Sequence, residues 1–266
     1  MKKSHSERYS EIKQIFGKNI EKIIKDSKAS KIPNTLKLLL NAQRKIDEFI
    51  CALNELVSQK HAYAINAIMR VVYEHYIVAH YVWLKSGYGA NDDCANEYYQ
   101  KYKLGEALKR TGHDLDVEGI INGIEKNNSP ENLRKLTSKF NITEAQIQDG
   151  YRVQKQFEVK NILKYVLQFT DENNPFKEHH LQFPFYLSQY NFLSSYVHGG
   201  PSAEDDIYNS PNALTIKRTI EENITHAQIV SETIKLHMLF LLIEYDSFYA
   251  RLLKPIMEEE KPSQKL

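Results

Sequence analysis

Residues 61–85, HAYAINAIMRVVYEHYIVAHYVWLK, decide the fold. Their apolar positions cover most of a helical circumference instead of one stripe, the pattern of a helix enclosed by other helices. Two ionisable residues, Arg70 and Glu74, interrupt that apolar surface. A lone buried charge is costly, so each must find a partner or serve a ligand. Gly87-Tyr88-Gly89 ends the helix.

On the N-terminal side, residues 6–25 carry Tyr9, Ile12, Ile15, Phe16, Ile20, Ile23 and Ile24 at helical spacing and read as one amphipathic helix. Pro33 breaks the pattern, Asn34 can cap, and residues 35–58 follow as a second helix. On the C-terminal side the character changes. Residues 91–156 contain shorter, more charged pieces broken at Gly112, Asn127-Asn128-Ser129-Pro130 and Asn141, with Thr143 and Gln146 spaced as a capping box. Residues 157–169 read as another helix, and Asp171 to Pro175 as a turn. Pro184 opens a helix that ends at Ser194-Ser195-Tyr196-Val197-His198-Gly199-Gly200. A polar loop from Pro201, holding Asp205, Asp206 and Asn209, precedes one long helix over residues 213–257. The expected architecture is all-α: a multi-helix bundle with a long C-terminal helix and an inserted cluster of short helices. Residues 1–90 and 157–266 build one bundle, and 91–156 form the insertion, a single domain overall.

Composition bounds the function. The 266 residues are 42% hydrophobic, enough for a core, and the formal charge of +1 gives no general attraction to nucleic acid or anionic membrane. Cys51 and Cys94 make neither a disulfide framework nor a zinc signature, which fits a reducing cytoplasm. The longest apolar run, residues 238–243, is far shorter than the ~20 residues of a membrane span. Neither a membrane association nor a cofactor or metal is expected: His75 and His80 diverge by about 140° on a helix, and His179-His180 lacks partners at ligand spacing.

Arg70 and Glu74 stand four apart and share a helix face with Tyr63, Asn66, Tyr73, Ile77 and Tyr81 nearby. The pair is either a structural element that orients the central helix or an Arg held ready for a phosphate or carboxylate, with Glu74 as its orienter or as a base. His198 sits at a helix C-terminus, where the dipole favours imidazolium, with Ser194 and Ser195 one turn earlier. It is either a cap under the glycine turn or a proton-transfer group. His237 and Glu244, seven apart, share one face of the last helix.

This order of helices, a polar-studded central helix followed by one ending in a Tyr-x-His-Gly pattern, resembles the HEPN superfamily over residues 34–86 and 184–250. Arg70-Val71-Val72-Tyr73-Glu74-His75 matches the Arg-x(4–6)-His spacing of its ribonucleases. The resemblance implies a helical bundle, often a homodimer, in a toxin or phage-defence setting. It also implies metal-independent RNA cleavage, in which Arg70 steadies the phosphorane, His75 or His198 moves the proton, Glu74 orients Arg70, and Ser195 or Tyr196 positions the phosphate. The alternative is a non-catalytic binding or interaction module, or a nucleotide sensor, with a protein or small anionic partner.

Overall fold

The computed structural model describes residues 3–59, 61–121, 130–169, 183–205, 213–244 and 246–258. Among them every regular element is helical, and the fold is all-α. In chain order these are α1 (His5–Lys18), α2 (Ile20–Ala29), α3 (Pro33–Ser58), α4 (Ala62–Gly89), α5 (Asp93–Glu97), a π turn (Tyr98–Tyr102), α6 (Lys103–Ile121), α7 (Pro130–Phe140), α8 (Glu144–Gln156) and α9 (Val159–Val166). After a 3-10 turn (Leu167–Phe169) come α10 (Phe183–His198), α11 (Pro201–Glu204), α12 (Ala213–Leu242) and α13 (Ser247–Glu258).

The chain divides into two compact units, Met1–Asp92 with Val166–Leu266, and Asp93–Tyr165. The second unit takes in most of the insertion expected at 91–156 and runs on to Tyr165.

In the first unit α4 is packed by α3, α10 and α12, as its all-round apolar sequence demands. Ile65, Met69, Val72, Tyr73, Ile77, Ala79 and Val82 are fully buried. α3 opens with Pro33, whose missing N–H costs nothing at that position. Its cap is not Asn34. The amides of Asn34 and Thr35 each donate to the Asp92 carboxylate at 2.7 Å, so the segment after α4 closes the start of α3.

Two long helices read from periodicity are each broken by a local side chain. Asn19 donates to the Ile15 carbonyl at 2.7 Å and separates α1 from α2, where one helix over 6–25 was expected. Likewise the helix expected through 257 stops at Leu242. The Asp246 carboxylate accepts from the Phe248 amide at 2.8 Å, starting α13 afresh.

The second unit closes on Leu108, Leu136 and Ile147. Gly105 of α6 lies against Gly150 of α8, so closely that a Cβ at 105 would stand 2.5 Å from the Gly150 carbonyl oxygen. The capping box of Thr143 and Gln146 forms at the start of α8 as its spacing predicts. Phe157, expected to begin a helix, instead caps α8.

Candidate anion site on α4, α10 and α12

The expected polar pair forms. Arg70 donates through Nη1 to Glu74, and through Nη2 to the Tyr190 hydroxyl at 2.5 Å. Its guanidinium carbon lies 4.2 Å from the Tyr190 ring centroid. Arg70 keeps 16% of its side chain exposed against 44% for Glu74, so the carboxylate is the wetter partner. The Nε of Arg70 is buried and has no hydrogen-bond partner among the described residues. Burial raises the Tyr190 phenol, so it stays protonated.

α10 runs antiparallel to α4. Tyr186 meets Tyr73 and Tyr76, Tyr190 meets Arg70, and Tyr196 meets Tyr63 at 5.6 Å. This register separates the candidate residues. Eight residues of helix, about 12 Å along its axis, lie between Tyr190 and His198. His198 is exposed and precedes Gly199, which takes the left-handed conformation (φ 64°) while the Gly200 amide donates to the Ser195 carbonyl at 2.9 Å. That is a Schellman-type helix end. The Ser195 hydroxyl donates to the Phe192 carbonyl, and Tyr196 is buried against Tyr63 and Phe192. His198, Ser195 and Tyr196 thus gather at one end of α10, a distance from Arg70.

His75 faces another way. Its ring stacks on Phe49 of α3 at 6.0 Å, and burial, helped by Lys45, lowers its pKa to about 4. The structure does not bring His75 onto the Arg70 face, in keeping with the 140° divergence of positions five apart. His237 is likewise in the core, where its Nε2 lies 3.0 Å from Nδ1 of His80 and its ring stacks on Trp83.

What reaches the Arg70 face from elsewhere is α12. Asn223 donates to Asn66 at 2.9 Å, one turn before Arg70 on α4, and Nδ1 of His226 lies 3.3 Å from the Tyr73 hydroxyl, three residues after it. Asn66, Arg70 and Tyr73 form one stripe. The sequence reading placed Asn66 and Tyr73 near that face but missed Tyr190, Asn223 and His226. A signal existed: Asn223 and His226 are polar residues three apart within an apolar-periodic segment.

Among the described residues no group of three His, Cys, Asp or Glu side chains could hold a metal ion. Nor is any helix among them long and apolar enough to cross a membrane. The loop residues Asp206 and Asn209, the turn at 171–175 and His179-His180 lie outside the described residues.

A family model matches residues 35–213, from the start of α3 to the first residue of α12. The chain belongs to DUF5677, a family of unknown function. The DUF5677 match takes in Arg70, Glu74 and Tyr190 and ends before Asn223 and His226. No curated protein and no solved structure matches the chain.

Proposed function

We propose that the protein is a HEPN-like helical module that recognises an RNA phosphate through Arg70. The reading rests on the guanidinium itself, which is fixed between Glu74 and the Tyr190 ring and retains a buried Nε without a partner among the described residues. A planar donor set already held in place loses little entropy on meeting a phosphate, and a half-exposed carboxylate can give way to it. Recognition without cleavage is favoured because no imidazole among the described residues contacts Arg70. His75 is turned to α3, and His198 stands more than two turns along α10 from Tyr190.

The test is fluorescence anisotropy with a labelled single-stranded oligoribonucleotide in the presence of a chelator. Arg70→Ala should weaken binding about tenfold or more while circular dichroism stays unchanged. Equal affinity of the two proteins would remove Arg70 from the site. The same incubations on a denaturing gel should leave the RNA intact. Chelator-resistant cleavage by the unaltered protein, lost in Arg70→Ala and His198→Ala, would instead support the metal-independent ribonuclease.

The HEPN resemblance also carries a homodimer and a cytoplasmic toxin or phage-defence role. Phe192 and Val197, exposed on α10, offer apolar area to a second copy. A single-chain mass in sedimentation equilibrium would exclude the dimer.

A further inference from the structure

We infer that α1 is a hinged cover: it swings off α12 as a unit while α2, α3 and α4 stay folded, and its opening gives solvent access to Lys235.

The hinge is one residue. Asn19 alone joins α1 to α2. Its side chain closes the last turn of α1 on the Ile15 carbonyl at 2.7 Å, and its own carbonyl accepts from the Ile23 amide at 2.9 Å to begin α2. A change in its two backbone dihedrals re-aims α1 and leaves the bonds within each helix intact. The two helices are also held by different elements. α2 is tied to the start of α13, where Lys22 meets Asp246 at 2.8 Å and the Tyr249 hydroxyl donates to Asp26 at 2.6 Å. α1 packs on α12, with Arg8 on Glu232 at 2.5 Å.

What α1 covers is charged. Ile12 and Phe16 bury apolar area, but Arg8 and Tyr9 lie over ionic groups of α3 and α12. The centre of the Tyr9 ring stands 5.1 Å from the Lys235 ammonium, and the Tyr9 hydroxyl donates to Asp47 at 3.4 Å. Burial pulls the Lys235 ammonium below the ordinary lysine range although Asp47 opposes the shift, so the closed state carries that charge at a cost. Exposing Ile12 and Phe16 opposes the opening. Lys235 and Glu232 regain water as α1 leaves, and this offsets part of that opposition. Such an opening therefore needs less free energy than unfolding the long helices beneath it.

The experiment is hydrogen exchange of the full chain read by mass spectrometry, with brief pulses of sulfosuccinimidyl acetate to report on Lys235. In the unaltered protein, α1 amides should exchange roughly tenfold or more faster than those of α2, α3 and α4 once intrinsic rates are divided out. Lys235 should be acetylated under conditions where α4 stays protected. Arg8→Gln removes the ion pair to Glu232 and should speed α1 exchange and Lys235 acetylation together, each about tenfold, with α3 and α4 unchanged. Protection of α1 equal to that of α4, or acetylation of Lys235 only where urea unfolds α4, would overturn the cover without recourse to any variant. Quickening of α3 and α4 along with α1 in Arg8→Gln would overturn it as well, since a purely structural ion pair lowers the stability of the whole unit.

Discussion

The two units fill their interiors by opposite means. In the first, long helices enclose polar and charged groups: Lys235 is 1% exposed, and its ammonium donates to both oxygens of Asp47 at 2.9 and 3.1 Å. Asp47 also accepts from Ser231 and from Gln43 at 2.6 Å, and Glu232, 4% exposed, pairs with Arg8 of α1. In the second, the interior is Leu108, Leu136 and Ile147 with two backbones touching at Gly105 and Gly150, and charges stay at the rim, where Asp149 takes Lys101 at 2.9 Å and Arg152 at 2.8 Å. Helices of 26 to 30 residues can slide past one another by a turn and keep apolar contact. Buried hydrogen-bonded groups penalise such slips, because each slip leaves a charge or an amide without its partner. The short helices of the second unit gain the same definition from a backbone contact that the missing Cβ of Gly105 permits.

The sharpest way to break this contrast is Lys235→Met. It strands Asp47 and should cost about 3 kcal/mol in urea unfolding. A loss under about 1 kcal/mol would mean that the buried network specifies nothing. Adding Asp47→Asn should restore part of the loss, since the uncompensated charge goes with it.

Gly105→Ala probes the other unit. Its Cβ would press into the Gly150 carbonyl, and the forced separation of α6 and α8 should cost about 2 kcal/mol. Hydrogen exchange should quicken in α6 and α8 and remain unchanged in α4 and α12. Uniform quickening in both units would show that they unfold together.

A smaller effect separates the units by pH. His75 has its pKa lowered from 6.5 to about 4, so the folded state favours the neutral ring. Its contribution is complete above about pH 6.5 and is lost as pH falls toward 4, on the order of 1 kcal/mol once its partial exposure is allowed for. His75→Phe should therefore flatten the fall in Tm between pH 7 and pH 4.5. An unchanged slope would assign the acid sensitivity to other groups.

Residues 61–85 alone revealed the enclosed central helix, because burial on all sides leaves a compositional trace. The breaks at Asn19 and Asp246 left none, since a side chain bonding its own backbone does not alter the apolar period. Arg70 and Glu74 were readable as a pair because one turn of helix fixes their distance. Tyr190 is 120 residues from Arg70 and His226 is 153 from Tyr73, so only the packing of α10 and α12 could reveal them. Asp92 as the cap of α3 belongs with these, a bond across 57 residues that no local pattern encodes.

The same separations set the order in which the molecule can assemble. Asn66 meets Asn223 and His80 meets His237, each pair 157 residues apart, so α4 and α12 lie parallel in one register over fourteen residues. Parallel neighbours cannot form a hairpin, and closing so long a loop is slow. During synthesis α3 and α4 emerge with Asp47, Asn66 and His80 still waiting for groups on α12. The first unit can finish folding only after α12 has been made, while the second has all its residues by Tyr165.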